Sequence, residues 1–204
     1  MHLLARQFGV ESRETTHRYS LPTWPSLKSG EDRTYNPDMA VPDPKTMSVR
    51  ELLQTYCDVM DELRRREIVR SSNNPVADYS ELLFCRAFGW NREGGSALGF
   101  DAVCKKGLRY QIKGRRLTPN NQSRQLSFIR RLPDKQFDFL AGILFHNGFE
   151  IKRGALVPHV NVEARARFSK HANGWLFELK DDVWGEPGVV DVTKDLLLAS
   201  EQLD

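Results

Sequence analysis

The sequence has few of the features that mark membrane, secreted or disulfide-stabilised proteins. Its 204 residues include only three cysteines and no run of eighteen apolar residues, so none is long enough to span a membrane. The first residues also lack the apolar stretch of a secretory signal. Cys57, Cys85 and Cys104 lie within apolar patterns, which favours buried thiols over disulfides or a zinc site. We therefore expect a cytoplasmic protein that has no contact with a membrane.

Motifs of phosphate-binding-loop and zinc enzymes are absent as well. Gly94-Gly95 is not followed by the Lys-Ser or Lys-Thr pair that completes a phosphate-binding loop. His146, His159 and His171 have neither metal-ligand spacing nor a cysteine partner. Neither class of enzyme is therefore indicated by a motif.

Positive charge is concentrated in the middle of the chain. The formal net charge is only +3, but residues 105–135 hold ten Lys or Arg against one acid, a local charge of +9. Residues 178–204 hold eight acids against two bases. A concentrated positive charge indicates a polyanionic partner, most often nucleic acid. The alternative is a solvated surface whose charges pair with the acidic tail, and charge alone does not decide between them.

The chain divides into an arm and a domain. Five of the ten prolines fall in residues 1–46, which predicts an extended N-terminal arm that either drapes over the domain or stays flexible. The domain, residues 47–204, begins with a capping box at Ser48 and Glu51, which predicts a helix to about Val69. An apolar stripe marks this helix: Leu52, Tyr56, Met60 and Leu63.

The remaining pattern alternates helices and strands. Pro75 begins a second helix and Gly89 ends it, with Val76, Tyr79, Leu83 and Ala87 on one face. Residues 91–99 are predicted as loop. Later elements are strands at 100–104, 108–113, 137–145, 149–157 and 175–179, and helices near 124–131, 163–168 and 192–203, with Asn147-Gly148 as a hairpin turn. This order predicts an α+β or α/β domain.

The first hairpin is the most informative part of the sequence. A three-residue loop with Gly107 in the left-handed conformation pairs residues whose numbers sum to 212, so Asp101 lies opposite Gln111. In this register Asp101, Gln111 and Lys113 share one face with Arg109, and the apolar residues share the other. The pattern therefore places a carboxylate, a carboxamide and an ammonium together, just before the basic segment.

Asp101-x9-Gln111-x-Lys113 resembles the active-site motif of the PD-(D/E)xK nuclease superfamily, in the variant where Gln replaces the second acid. Glu81 lies on the preceding helix, where many of these families carry a glutamate. Residues 70–76 and 110–116 look like segments of small bacterial proteins in this group. The leading proline of the motif is absent, since Phe100 precedes Asp101. The resemblance implies an α/β domain with a restriction-endonuclease-like core, a central mixed β-sheet flanked by helices.

The resemblance also implies a magnesium site built from oxygen ligands. Asp101 would be the central ligand, Glu81 a second carboxylate, and the Gln111 side chain with the Ile112 carbonyl would complete the protein ligands. Lys113 would lie near the scissile phosphate, where it orients or helps to deprotonate the attacking water and stabilises the transition state. Mn²⁺ is expected to substitute for Mg²⁺. Asp78, three residues from Glu81, is a rival for its role.

Several polar residues are candidates for contacts with nucleic acid. Basic side chains near the motif suit phosphates, and asparagine amides suit base edges or polar loops. The candidates are Lys105, Arg115, Arg116, Arg124, Arg130, Arg131, Asn73 and Asn121. Asn74 is expected to cap the second helix instead.

The predicted function is Mg²⁺-dependent hydrolysis of phosphodiester bonds in DNA by an endonuclease of restriction, phage defence or repair. RNA is left open as a substrate, and cleavage of both strands makes a homodimer plausible. One alternative is a binding module on the same fold that holds nucleic acid or protein without cutting. Another is an unrelated enzyme with a basic surface.

Overall fold

The computed structural model describes residues 43–93 and 99–203. The predicted arm therefore lies outside the described residues up to position 42, and its last part, Pro44–Thr46, forms a short 3-10 helix. None of the helices in the described ranges has the length and apolar character needed to cross a membrane.

A six-stranded mixed sheet forms the centre of the domain. The helices are α1 (Val49–Arg65), α2 (Val76–Phe88), α3 (His159–Arg165) and α4 (Thr193–Glu201). The strands are β1 (Asn91–Arg92), β2 (Ala102–Val103), β3 (Arg109–Arg116), β4 (Phe139–Phe145), β5 (Ile151–Pro158), β6 (Arg167–Ser169), β7 (Gly174–Leu176) and β8 (Val190–Asp191). The sheet order is β1-β2-β3-β4-β5-β8, in which β3 and β4 are parallel and the other neighbours are antiparallel. The predicted α/β class with a flanked mixed sheet is confirmed.

Each face of the sheet is covered by a different layer. Helices α2 and α4 pack on the face that carries Tyr110, Ile112 and Ile143. The opposite face carries Leu140 and Leu144, and it is covered by irregular chain from the basic segment and by the small β6–β7 sheet. Strand β4 is buried along its whole length on both faces, which explains why its sequence is continuously apolar and does not alternate with polar residues.

Helix α1 begins as predicted but is not covered as its stripe suggested. Ser48 and Glu51 form the expected capping box. The helix ends at Arg65 rather than near Val69, and residues 49–59 are all exposed. Leu52 and Tyr56 are 40% and 53% exposed, and of the predicted stripe only Met60 is buried. Only the last turns of α1 therefore reach the rest of the described chain.

Helix α2 is confirmed in most details. Gly89 ends it in the left-handed conformation, and the Asn74 side chain accepts the Val76 N–H as the predicted cap. Leu83 is buried and its predicted face packs against the core: Val76, Tyr79, Leu83 and Ala87. Of the three predicted buried thiols, Cys104 is buried and Cys85 is half-buried, but Cys57 is exposed because it lies on the projecting part of α1.

Three predicted segments differ in the structure. The predicted helix near 124–131 is wrong, because the N–H groups of Leu126 and Ile129 donate to the carbonyls of Phe177 and Trp175 instead of to a helical turn. Part of the predicted loop 91–99 is strand β1, and residues 94–98 lie outside the described residues. The β4–β5 hairpin exists, but its left-handed residue is Phe149, so the connection is longer than a two-residue Asn-Gly turn.

The predicted elements after β5 are shifted. Helix α3 begins at His159 and ends at Arg165, before the predicted end at 168, because the chain turns there into strand β6. Strand β7 begins at Gly174 and ends at Leu176 instead of reaching 179. Helix α4 is the predicted closing helix, and Asp191 accepts the Thr193 N–H at its start.

A glycine on β3 lets helix α2 approach the sheet closely. A Cβ atom at Gly114 would lie 2.1 Å from Ser80 Oγ. Ser80 is fully buried, and its hydroxyl donates to the Val76 carbonyl. The serine hydroxyl therefore occupies the space that a side chain at position 114 would need.

We expect Gly114→Ala to lower the free energy of unfolding by about 1–3 kcal/mol, because the added methyl group overpacks this contact. Urea denaturation measures the change, and Gly114→Ala/Ser80→Ala should recover part of it. Gly185→Ala is the matched control, since a Cβ there meets nothing within 4 Å. Equal effects of the two glycine substitutions would contradict this account of the contact.

Candidate active site

The β2–β3 hairpin adopts the predicted register. Ala102 pairs with Tyr110 and Val103 with Arg109, so both pairs sum to 212. Gly107 has a φ of +80°, and the Cys104 N–H donates to the Leu108 carbonyl across the loop at 3.0 Å. The loop therefore has the three residues and the left-handed glycine that the sequence predicted.

The two faces of the hairpin separate apolar from polar side chains. Ala102, Tyr110 and Ile112 are buried against the helix layer. Gln111 and Lys113 alternate with them and therefore point to the other face of the sheet. Gln111 and Lys113 thus form a polar row on that face. Asp101 precedes β2 and is not paired with Gln111 in the strand register, so its predicted place directly opposite Gln111 is not confirmed.

Asp101 is tied to the backbone of the opposite strand. Its Oδ2 accepts the Ile112 N–H at 2.6 Å, and its own N–H donates to the Tyr110 carbonyl at 2.8 Å. Burial raises the pKa of Asp101, while the Ile112 N–H and the charge of Lys113 act in the opposite direction without cancelling it. The site thus contains a desolvated carboxyl group held in a fixed orientation.

Gln111 is buried with an unused acceptor. Gln111 is only 8% exposed, and its Oε1 accepts no hydrogen bond from any residue that the structure describes. A buried carbonyl oxygen without a partner costs free energy, so such an atom calls for an explanation. A bound cation is one explanation, because an amide oxygen is a hard ligand.

Lys113 completes the row. It is partly exposed, and no acid in the described ranges lies within ion-pair distance of it. Its positive charge acts on Asp101 and partly offsets the rise in the pKa of Asp101 that burial causes. The ammonium group is therefore near the carboxylate but available to an anionic ligand.

Glu81 lies near Asp101 but is held by two arginines. Its Oε2 accepts hydrogen bonds from Arg70 at 2.5 Å and from Arg92 Nε at 2.7 Å. Burial raises the pKa of Glu81, the Arg92 hydrogen bond lowers it, and the charge of Asp101 raises it further. The predicted glutamate is thus close enough to sense Asp101, but one of its oxygens is already occupied.

Asp78, the rival of Glu81, has a structural role. It accepts the N–H groups of Arg70 and Ser71, both at 3.1 Å, and Arg92 at 3.1 Å. Burial alone would raise the pKa of Asp78, but these N–H donors and Arg92 bring it below its ordinary value. Asp78 therefore fixes the loop before α2.

Arg70 and Arg92 are site residues that the sequence analysis missed. Arg92 was assigned to a loop, whereas it lies on β1 and has a side chain only 18% exposed. Both arginines are eleven positions from Glu81, on opposite sides of it. No local spacing predicts such contacts, because they depend on how the edge strand packs beside α2.

The site has oxygen donors suited to one hard cation. Within the described ranges there is no group of three or more His, Cys, Asp or Glu side chains that could hold a metal. The available donors are the Asp101 carboxylate, Gln111 Oε1, the Ile112 carbonyl and the second oxygen of Glu81. A small set of carboxylate and carbonyl oxygens fits Mg²⁺, which keeps several of its waters.

The predicted phosphate-binding arginines are partly used inside the protein. Arg124 pairs with Asp181 at 2.7 Å, and Arg130 Nη1 donates to the carbonyls of Ala172 and Asn173. Asp181 belongs to the acidic segment 178–204, so this pair is of the kind expected if the basic residues were a surface paired with the acidic tail. Part of the +9 charge is therefore neutralised locally.

Other members of the predicted set remain accessible. Arg115 Nε donates to the Ser123 carbonyl, and Arg116 lies over the Phe149 ring at 4.9 Å. Among the described acids, Arg131 approaches Asp134 at 3.7 Å. Lys105, Asn73 and Asn121 are exposed, although Asn121 Oδ1 also accepts the Ser123 N–H. Arg115 and Arg116 thus place part of the accessible charge at the end of β3.

Comparison with models of known protein families finds no match to the chain, and a search of curated proteins likewise finds no significant similarity. What the site does therefore has to be inferred from its geometry.

We expect Asp101→Asn to keep the hydrogen bond to Ile112, and Asp101→Ala to lose about 1–3 kcal/mol because that N–H is left unpaired. The folded protein holds the Asp101 proton more tightly than the unfolded chain, whose carboxyl has its ordinary pKa of 3.8. The wild type should therefore lose stability relative to Asp101→Asn as the pH rises from about 4 to 7.

Urea denaturation of the three proteins in EDTA at both pH values measures these differences. A difference between wild type and Asp101→Asn that stays constant with pH, or changes in the opposite direction, would contradict the raised pKa.

Proposed function

We propose that this protein is a Mg²⁺-dependent DNA endonuclease with a restriction-endonuclease-like core. The observation that carries the proposal is the Gln111 amide oxygen, which is buried and has no partner among the described residues. On the same strand Lys113 forms no ion pair with a described acid, and the desolvated carboxyl group of Asp101 is bonded to the Ile112 N–H between them. The resemblance of Asp101, Gln111 and Lys113 to the PD-(D/E)xK motif supports the same assignment.

In this proposal each side chain has one task. Asp101 and Gln111 would hold the cation, which supplies Lewis-acid activation of the phosphate and of a bound water. Lys113 would contact the nonbridging oxygens of the scissile phosphate and stabilise the charge that develops there. Water attacks phosphorus, the bond to the 3′ oxygen breaks, and the leaving oxygen takes up a proton. Glu81, positioned by Arg92, would orient a water through its second oxygen.

A second candidate function is a binding module on the same fold that holds nucleic acid without cutting. The specific observation in its favour is that Arg70 and Arg92 already neutralise Glu81. If no cation displaces or joins them, the site keeps only one carboxylate for a metal, Asp101. A basic surface would then bind DNA in a manner that EDTA does not affect.

Cleavage of supercoiled plasmid separates these functions. With Mg²⁺ or Mn²⁺ we expect nicked or linear product from the wild type, and none with EDTA. Lys113→Ala should reduce the rate at least about a hundredfold, because it removes charge stabilisation from the transition state. Lys194→Ala, an exposed lysine on α4, is the matched control and should cut like the wild type. Equal cutting by both variants would contradict the assignment of Lys113, and intact plasmid in every lane would favour the binding module.

Thermal unfolding tests the cation site independently of cutting. We expect Mg²⁺ at about 100 times its dissociation constant to stabilise the wild type by about 2.7 kcal/mol. Gln111→Met should abolish this stabilisation while being at least as stable as the wild type in EDTA, because it removes a buried unpaired oxygen. Gln125→Met serves as the control, since Gln125 is only half-buried. Equal Mg²⁺ effects in all three proteins would exclude Gln111 as a ligand.

A further inference from the structure

A half-exposed aromatic ring lies on the small β6–β7 sheet, outside the candidate active site. Phe168 is 50% exposed and pairs across the two strands with Trp175. The two rings are 5.4 Å apart between centroids, and Trp175 packs against the buried cluster below. One ring thus supports the other, and Phe168 presents its free side to solvent.

This sheet is joined to the basic segment of the chain. Ile129 forms a bridge with Trp175, and both of its backbone groups are used: each residue donates its N–H to the carbonyl of the other at 2.8–2.9 Å. Arg130 then donates to the carbonyls of Ala172 and Asn173 in the turn between β6 and β7. The hairpin and the basic segment are therefore one unit.

The surroundings of Phe168 are positively charged. Arg130, Arg131, Arg167 and Lys170 are exposed, and His171 follows in the same turn. The acids that approach them do so at the limit of an ion pair, 3.7 Å for Arg131 and Asp134 and 3.8 Å for Arg167 and Glu178. Most of this charge is available to a ligand, so the partner that fits is a polyanion with planar groups.

The hairpin lies on the same face of the central sheet as the candidate catalytic row. Gln111 pairs with Leu140 and Arg115 with Leu144 in the parallel register, so these side chains share a face. Leu140 and Leu144 pack in the buried cluster that also contains Ile129 and Phe177. The hairpin therefore lies on the side of the sheet toward which Gln111 and Lys113 point.

We propose that the β6–β7 hairpin binds single-stranded DNA, with an unpaired base stacked on Phe168 and the phosphates held by Arg167 and Lys170. An unpaired base is required because the faces of bases in a duplex are already stacked on their neighbours and closed to a ring. Combining an exposed aromatic ring with a basic surface is the usual way to bind a single strand without reading its sequence. The proposal deepens the proposed function and rests on it for the identity of the polyanion.

Fluorescence anisotropy of the full chain in EDTA tests this without cleavage, with a labelled single-stranded 20-mer and the corresponding duplex as probes. Phe168→Ala should weaken single-strand binding about tenfold, leave duplex binding unchanged and keep the salt dependence of the wild type. Phe168→Trp, which keeps an aromatic ring at this position, should bind the single strand like the wild type. Leu198→Ala is the matched control, because Leu198 is 49% exposed but lies on α4, on the other face of the sheet.

A charge variant separates stacking from phosphate contacts. Arg167→Gln/Lys170→Gln should weaken both probes and reduce the slope of binding against salt, because it removes phosphate contacts and no stacking. The proposal is overturned if Phe168→Ala binds the single strand like the wild type, or loses affinity equally for both probes. It is also overturned if the wild type binds neither probe.

The two proposals can fail separately. If the wild type cuts plasmid but Phe168→Ala binds as the wild type does, only the hairpin proposal fails. If the wild type does not cut but Phe168→Ala loses single-strand affinity selectively, the hairpin proposal holds and the cleavage proposal fails.

Discussion

The alternation of side chains along β3 is the constraint on which the candidate site depends. The strand is paired on one side with β2 and on the other with β4, so its register cannot move by one residue without exposing Tyr110 and burying Lys113. Burial of the apolar row therefore fixes the direction of the polar row. The free energy that orients Gln111 and Lys113 comes from packing on the opposite face of the sheet, and the site needs no dedicated support of its own on that strand.

The sequence predicted this part of the structure because its determinants are local. A left-handed glycine sets the loop, and a period of two residues then decides the face of every side chain on the hairpin. The same holds for the capping box at Ser48 and for the left-handed end of α2 at Gly89. Each of these depends on residues within a few positions of one another, so a single sequence contains the whole signal.

Contacts between distant segments were not predictable in this way. Arg92 pairs with Glu81 only because a short edge strand passes beside α2, and the sequence gives no sign of that strand. Leu126 and Ile129 have helix-like spacing, but their N–H groups donate to the carbonyls of Phe177 and Trp175, some fifty residues later in the chain. The apolar spacing of α1 predicted a helix, but such spacing does not show whether another part of the chain covers its apolar side.

The hydrogen bond between Asp101 and the Ile112 N–H has a consequence for how such a site would decay during evolution. Lys113 bonds to no described acid, so a lineage that no longer needs the activity can replace it at little cost to folding. Position 101 must keep a side chain that accepts a backbone N–H, whatever the protein is used for. Among descendants of this chain an Asp or Asn at 101 would therefore record inheritance of the fold, and only the lysine at 113 would record retention of the chemistry.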